Sequence, residues 1–136
     1  MSPVFLDTSG LIAVINVDDH WHTRAEAVWL ALVGSPVTLL TTSLVLIEIG
    51  DGLARIGTRQ LARQLRASLL SSPRVEVLQT TADDEARAWD LYGRRADKEW
   101  GVTDCVSIVM AGDRRIEDVF GMDHHFEQAG FKLLLK

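Results

Sequence analysis

The chain has 136 residues, 47% hydrophobic and 24% charged, which suits one globular domain and excludes a disordered or low-complexity protein. Its 19 acids outnumber 14 bases, for a net charge of −5, so any grip on nucleic acid must come from local basic patches. No apolar run approaches the ~18 residues of a membrane span, the start Met1-Ser2-Pro3 lacks the basic stretch of a secretory signal, and a lone cysteine, Cys105, fits a reducing, cytoplasmic location.

Val4-Phe5-Leu6 reads as a buried strand, ending in the turn Asp7-Thr8-Ser9-Gly10. Leu11 to Ile15 is a short apolar helix or turn. Trp21–Val33 has helical apolar spacing and stops at Gly34-Ser35-Pro36. Val37–Leu40 is the second predicted strand, and one of Thr41, Thr42 or Ser43 caps the helix that follows. Thr58–Leu70 is another helix, then Val75–Leu78 a third strand. A long helix is predicted over Thr80–Lys98, with Asp83, Asp84 and Glu85 suited to its N-terminal dipole. After a connector at Trp100-Gly101-Val102 come a helix over Thr103–Ala111, a strand at Asp118–Gly121, a short helix at Asp123–Ala129 and a final strand at Phe131–Leu135.

Strands alternating with helices predict a three-layer α/β/α domain over residues 1–136, with a small parallel sheet of four to five strands. In such sheets ligands bind beyond the carboxyl ends of the strands. Asp7 directly follows the first strand, and Asp123 lies just past the fourth. Glu48 sits in the apolar run of the helix after the second strand, and Asp104 opens a helix. Isolated carboxylates in apolar surroundings are costly, and grouped ones repel. Bound cations remove both problems, and oxygen-only donors suit Mg²⁺ or Mn²⁺. Taken singly, each acid also has a plain role as a turn former, helix cap or solvated residue. The reading therefore rests on the set. Asp51 shares the helix face of Glu48, and Ser107 that of Asp104.

The histidine pairs His20/His22 and His124/His125 have spacings that put no two rings on one helix face, so zinc is not expected. Cys105 reads as a small core residue. Trp21, Trp29, Trp89 and Trp100 read as core and interface anchors.

Four segments together resemble the PIN domains of VapC-like toxin ribonucleases: Phe5–Ser9, Ser43–Leu53, Trp100–Ser107 and Asp123–Phe131. The resemblance implies a Mg²⁺- or Mn²⁺-dependent endoribonuclease, usually homodimeric, restrained by a cognate antitoxin. Asp7, Glu48, Asp104 and Asp123 match the family's acidic quartet, with Thr8, Thr103 and Ser107 at supporting positions. Family members commonly have asparagine where this chain has Asp51, and often a basic residue where it has His124. Glu127, one helical turn beyond Asp123, is a candidate to share its role.

The chemistry implied is phosphodiester hydrolysis by metal-activated water. Arg55, Arg59, Arg63 and Arg66 recur at helical spacing and form a basic stripe for RNA phosphates if the helix is continuous through Gly57. A haloacid-dehalogenase-type phosphatase would need an aspartate where Ser9 stands, and a receiver domain would need a well-placed lysine. The alternative to the nuclease is a PIN-like module that binds RNA or protein without cutting.

Overall fold

The computed structural model describes residues 2–136. Strand β1 (Val4–Leu6) is buried at every position and forms the middle of the sheet, which its unbroken apolar run requires. Strands β2 (Leu39–Thr42) and β4 (Asp118–Phe120) pair with it on either side, and β3 (Val75–Leu78) and β5 (Lys132–Leu133) form the edges. The order is β3-β2-β1-β4-β5, and every pairing is parallel. Seven helices connect the strands among the described residues: α1 (Thr8–Ile15), α2 (His22–Val33), α3 (Ser43–Gly52), α4 (Arg59–Ser71), α5 (Ala82–Arg94), α6 (Val102–Asp113) and α7 (His124–Gln128). The arrangement is the predicted three-layer α/β/α sandwich.

The chain builds the sheet outward from β1 through β2 to β3, then crosses to β4 and β5 on the other side. The order therefore reverses between β1 and β4, and the crevice of such a fold lies there, beyond the carboxyl ends of the strands. Asp7 and Asp123 follow these two strands. One core is built on Phe5, Leu6, Leu11, Leu39, Phe120 and Phe126. A second, of Ala88, Trp100, Cys105, Val106 and Met110, forms where α5 packs on α6. Gly10 is required at the first core: a Cβ there would lie 2.3 Å from the Phe120 carbonyl oxygen.

Three of the boundaries that differ from the sequence reading have a clear local reason. Strand β2 begins at Leu39, not Val37, because Arg74 claims the carbonyls of the approach to it. Its guanidinium donates to Val33 O at 3.1 Å, to Ser35 O, and to Val37 O at 2.8 Å. Helix α5 ends at Arg94 instead of Lys98. Arg95 instead forks onto Asp97 at 3.1 and 3.2 Å and lies over the Trp100 ring. Strand β5 covers only Lys132–Leu133, and it starts after Phe131 because the turn at Gly130 (φ +97°) ties Phe131 N–H back to Phe126 O.

Trp21, Trp29 and Trp100 pack into the cores as expected, whereas Trp89 stands on the surface against Tyr92. His22 is structural, donating from Nδ1 to Ala13 O at 2.8 Å. No helix among the described residues is long and apolar enough to cross a membrane.

Candidate active site

Asp7 leaves β1 as the N-cap of α1, with 4% of its surface exposed. Its Oδ2 accepts from the Ser9 backbone N–H at 3.2 Å and from Ser9 Oγ at 2.7 Å. Ser9 Oγ also accepts from Met122 N–H at 3.2 Å, and Asp7 N–H donates to Phe120 O at 3.1 Å. The two strand-end loops are thus stitched together beneath the carboxylate. Gly121 makes the approach possible, because a Cβ there would lie 2.9 Å from Ser9 Oγ and 3.2 Å from Asp7 Oδ2.

Glu48 projects from α3 and accepts a hydrogen bond from the Thr8 hydroxyl. Asp104 lies in the first turn of α6, where its Oδ2 accepts from Gly101 N–H at 3.0 Å. Asp123 caps α7 through Oδ1, which accepts from His125 N–H at 3.0 Å.

These acids lie near enough to raise one another's proton affinity. Burial, above all, pushes the Asp7 carboxyl up to about 7, with the charges of Glu48 and Asp123 adding and the Ser9 bonds opposing. Burial likewise raises Glu48, reinforced by Asp104, Asp123 and Asp51. Asp104 is raised by burial and by Asp123, against the Gly101 N–H and the neighbouring His125 ring. Among the described residues, no lysine or arginine pairs with Asp7, Glu48, Asp104 or Asp123.

Residues 4–132 match the PIN domain. The chain belongs to the PIN domain family. A relative from Mycobacterium tuberculosis, the 23S rRNA-specific endonuclease VapC20, is 31% identical over 128 residues, spanning 94% of this chain and 95% of its own. The crystal structure of VapC20, described as a Sarcin-Ricin loop cleaving toxin, superposes with a TM-score of 0.85 at 29% identity, covering 95% of this chain and 96% of that one. VapBC2 from Rickettsia felis, bound to a DNA fragment from its promoter, shares the fold alone, with a TM-score of 0.69 at 16% identity and 96% of each chain covered.

The PIN fold brings together Asp7, Glu48, Asp104 and Asp123, with Thr8 bonded to Glu48 and Asp51 exposed at the margin. Ser107 is buried one turn from Asp104, and Thr103 is half-buried beside it. Glu127 is not brought in, for its Oε1 accepts from Lys136 Nζ at 3.1 Å. The basic stripe is broken: Arg55 lies in the turn before α4, and only Arg59, Arg63 and Arg66 lie on that helix. Arg59 is engaged with Ala54 O at 2.7 Å and Arg63 with Gln60 Oε1 at 3.1 Å. Cys105 is buried, and burial raises its thiol, so it stays uncharged in the core.

Sequence reasoning missed two residues. Ser9 is the donor to Asp7, and its only signal was a hydroxyl two residues after an aspartate, the pattern of an Asx turn. His125 was set aside on spacing, yet its Nδ1 lies 3.1 Å from Asp104 Oδ2 and 3.0 Å from Asp123 Oδ1. Metal-ligating atoms of Asp123, His124 and His125 all lie within 4.8 Å of one another. The donor set fits a divalent cation: a buried Asp7 and half-buried Glu48 and Asp104, all with raised proton affinity and, among the described residues, none paired with a lysine or arginine.

Proposed function

We propose that this PIN domain is a metal-dependent endoribonuclease of the toxin class, hydrolysing a phosphodiester bond in structured RNA. The observation that carries the reading is the convergence of Asp7, Glu48, Asp104 and Asp123 at the crevice where the strand order reverses. Its likeness to a 23S rRNA-specific endonuclease over 94% of the chain supports ribosomal RNA as the substrate class.

Asp7, Glu48 and Asp104 are the ligands proposed for the principal cation, Mg²⁺ or Mn²⁺, and Asp123 would hold a second ion or orient the attacking water. When bound, such a cation supplies charge compensation at the phosphate and Lewis-acid activation of water. The chain's own groups aim the carboxylates: Ser9 holds Asp7, Thr8 holds Glu48, and Gly101 N–H holds Asp104. These donors leave each acid a further oxygen lone pair for a ligand. Ser107 and Thr103 support Asp104 from the same helix, and Asp51 adds negative charge beside Glu48. Arg66 borders a groove with Ser43 and Ile47, next in sequence to Glu48, and is the phosphate contact best placed among the four arginines. A cognate antitoxin, a homodimer and a cytoplasmic location belong to the same proposal.

Incubating the protein with 23S rRNA tests this reading. Cleavage at defined sites is expected with Mg²⁺ or Mn²⁺, and none with chelator or in Asp7→Asn. Binding of RNA without metal-dependent cleavage by a well-folded protein would establish the non-cutting module instead.

A further inference from the structure

We propose that the cavity at the turn between α5 and α6 is a nucleotide subsite, where an unpaired RNA base beside the cleaved phosphate stacks on Tyr92 and Lys98 meets the backbone. The subsite rests on the nuclease reading above and extends it to substrate recognition.

The cavity measures about 580 Å³, within the ordinary range of ligand pockets, and Tyr92, Gly93, Lys98, Glu99, Trp100 and Gly101 line it. It adjoins the acids directly, because Gly101 also donates its N–H to Asp104 Oδ2 at 3.0 Å. The Trp100 wall is fixed: its indole N–H donates to Gln128 Oε1 at 2.8 Å, and Arg95 lies 5.3 Å over its ring.

Three features that the fold does not call for suit this ligand. Trp89 and Tyr92 are the two members of the Phe, Tyr and Trp set left exposed among the described residues. Their rings meet at 5.5 Å in a T-shaped pair, so Trp89 braces Tyr92 in place. A braced, exposed ring at the edge of a cavity is a platform for an unstacked base.

Gly93 lies in the last turn of α5, although glycine is the poorest helix former after proline. A Cβ there would meet no other part of the protein within 4 Å, and the backbone does not take a positive φ. Neither packing nor conformation requires the glycine, whereas close approach of a ligand to the cavity wall does. Lys98 Nζ stands 3.9 Å from Asp97 Oδ2, beyond hydrogen-bond reach, which leaves its charge for a phosphate. That cation offsets the repulsion a polyanion meets on nearing the acids. Glu99, exposed on the same rim, offers an acceptor to a base amino group.

Filter binding of labelled 23S rRNA to the full chain tests the subsite, in Asp7→Asn protein with Mg²⁺ so that the RNA stays intact. Added to that parent, Tyr92→Ala should weaken binding about 10-fold or more, and Tyr92→Phe should retain it. Lys98→Gln should lower affinity and flatten its salt dependence by about one in slope. Gly93→Ala should weaken binding with the Tm unchanged or higher, which separates the subsite from the fold. In otherwise wild-type protein, Tyr92→Ala should raise the KM for cleavage more than it lowers kcat, with Mn²⁺ affinity unchanged. Equal RNA affinity in the parent, Tyr92→Ala and Gly93→Ala overturns the inference, and cleavage by the wild type would then leave the nuclease reading standing. A loss in Tyr92→Phe as large as in Tyr92→Ala also overturns stacking. The expected losses in a protein whose wild type never cuts RNA would keep the subsite and remove the nuclease reading. If the parent binds no RNA and the wild type cuts none, both fall.

Discussion

The Ser9 hydroxyl donates to Asp7 Oδ2 at 2.7 Å while accepting the Met122 N–H at 3.2 Å. One side chain thus sets the orientation of the most buried acid and joins the loop after β1 to the loop after β4. Asp7 has little freedom to reorient, which suits a group that must meet a cation at a fixed point.

Ser9→Ala should therefore weaken metal binding without removing a ligand. Supporting hydrogen bonds of this kind carry about 10- to 100-fold in metal affinity. Calorimetric titration with Mn²⁺ should show a weaker Kd at unchanged stoichiometry. An unchanged Kd would mean that Asp7 is held by its backbone alone.

Metal-free stability should fall as pH rises. Burial moves Asp7 from an ordinary 3.8 to about 7 in the folded protein. Between those values the folded state holds a proton that the unfolded chain has released. The stabilisation is complete below about 4 and is lost as pH rises through about 7. Glu48 and Asp104, also raised, act in the same direction. Thermal melts at pH 5.5 and pH 8 lie above the range where the lowered acids Asp84, Asp97 and Asp113 titrate. The metal-free protein should melt several degrees lower at pH 8, and Mn²⁺ should restore it.

Asp7→Asn should abolish cleavage and yet raise the metal-free Tm at pH 8, because it removes a buried charge while keeping the shape. A lower Tm, with the fold lost, would assign Asp7 a structural role in place of a catalytic one.

The two acids of the α7 region should separate cleanly. Asp123→Asn should cost metal affinity and cleavage. Glu127→Gln should leave both unchanged, since that carboxylate is engaged with Lys136. Titration and cleavage assays on the pair decide between them.

Gly10→Ala should be among the most damaging conservative changes. The added methyl meets the Phe120 carbonyl at 2.3 Å, and backbone cannot swing aside as a side chain can. A loss of about 1–3 kcal/mol is expected in denaturant unfolding. Gly121→Ala presses instead on Ser9 and Asp7, so metal affinity should suffer more than stability.

Much of this architecture was legible in the residues. Buried parallel strands such as Val4–Leu6 are unbroken apolar runs, and the acids of the quartet stand just past strand ends or on the helices that follow. What escaped depended on particular side-chain contacts and helix boundaries, some of them set by distant parts of the chain. Arg74 delays β2 by reaching back to Ser35 and Val37, and Arg95 ends α5 by turning onto Asp97. Arg55 left the basic stripe because the helix begins only at Arg59. His125 gains its place from Asp104, which α6 supplies from a distant part of the chain. Spacing along one helix carries no trace of such a neighbour.

Calorimetric titration of the wild type and Asp104→Asn with Mn²⁺ tests the central claim most directly. Saturable binding by the wild type is predicted, with binding lost in the variant while its melting curve stays cooperative. Equal binding by both proteins, or none by a well-folded wild type at millimolar Mn²⁺, would contradict a metal centre built on these acids.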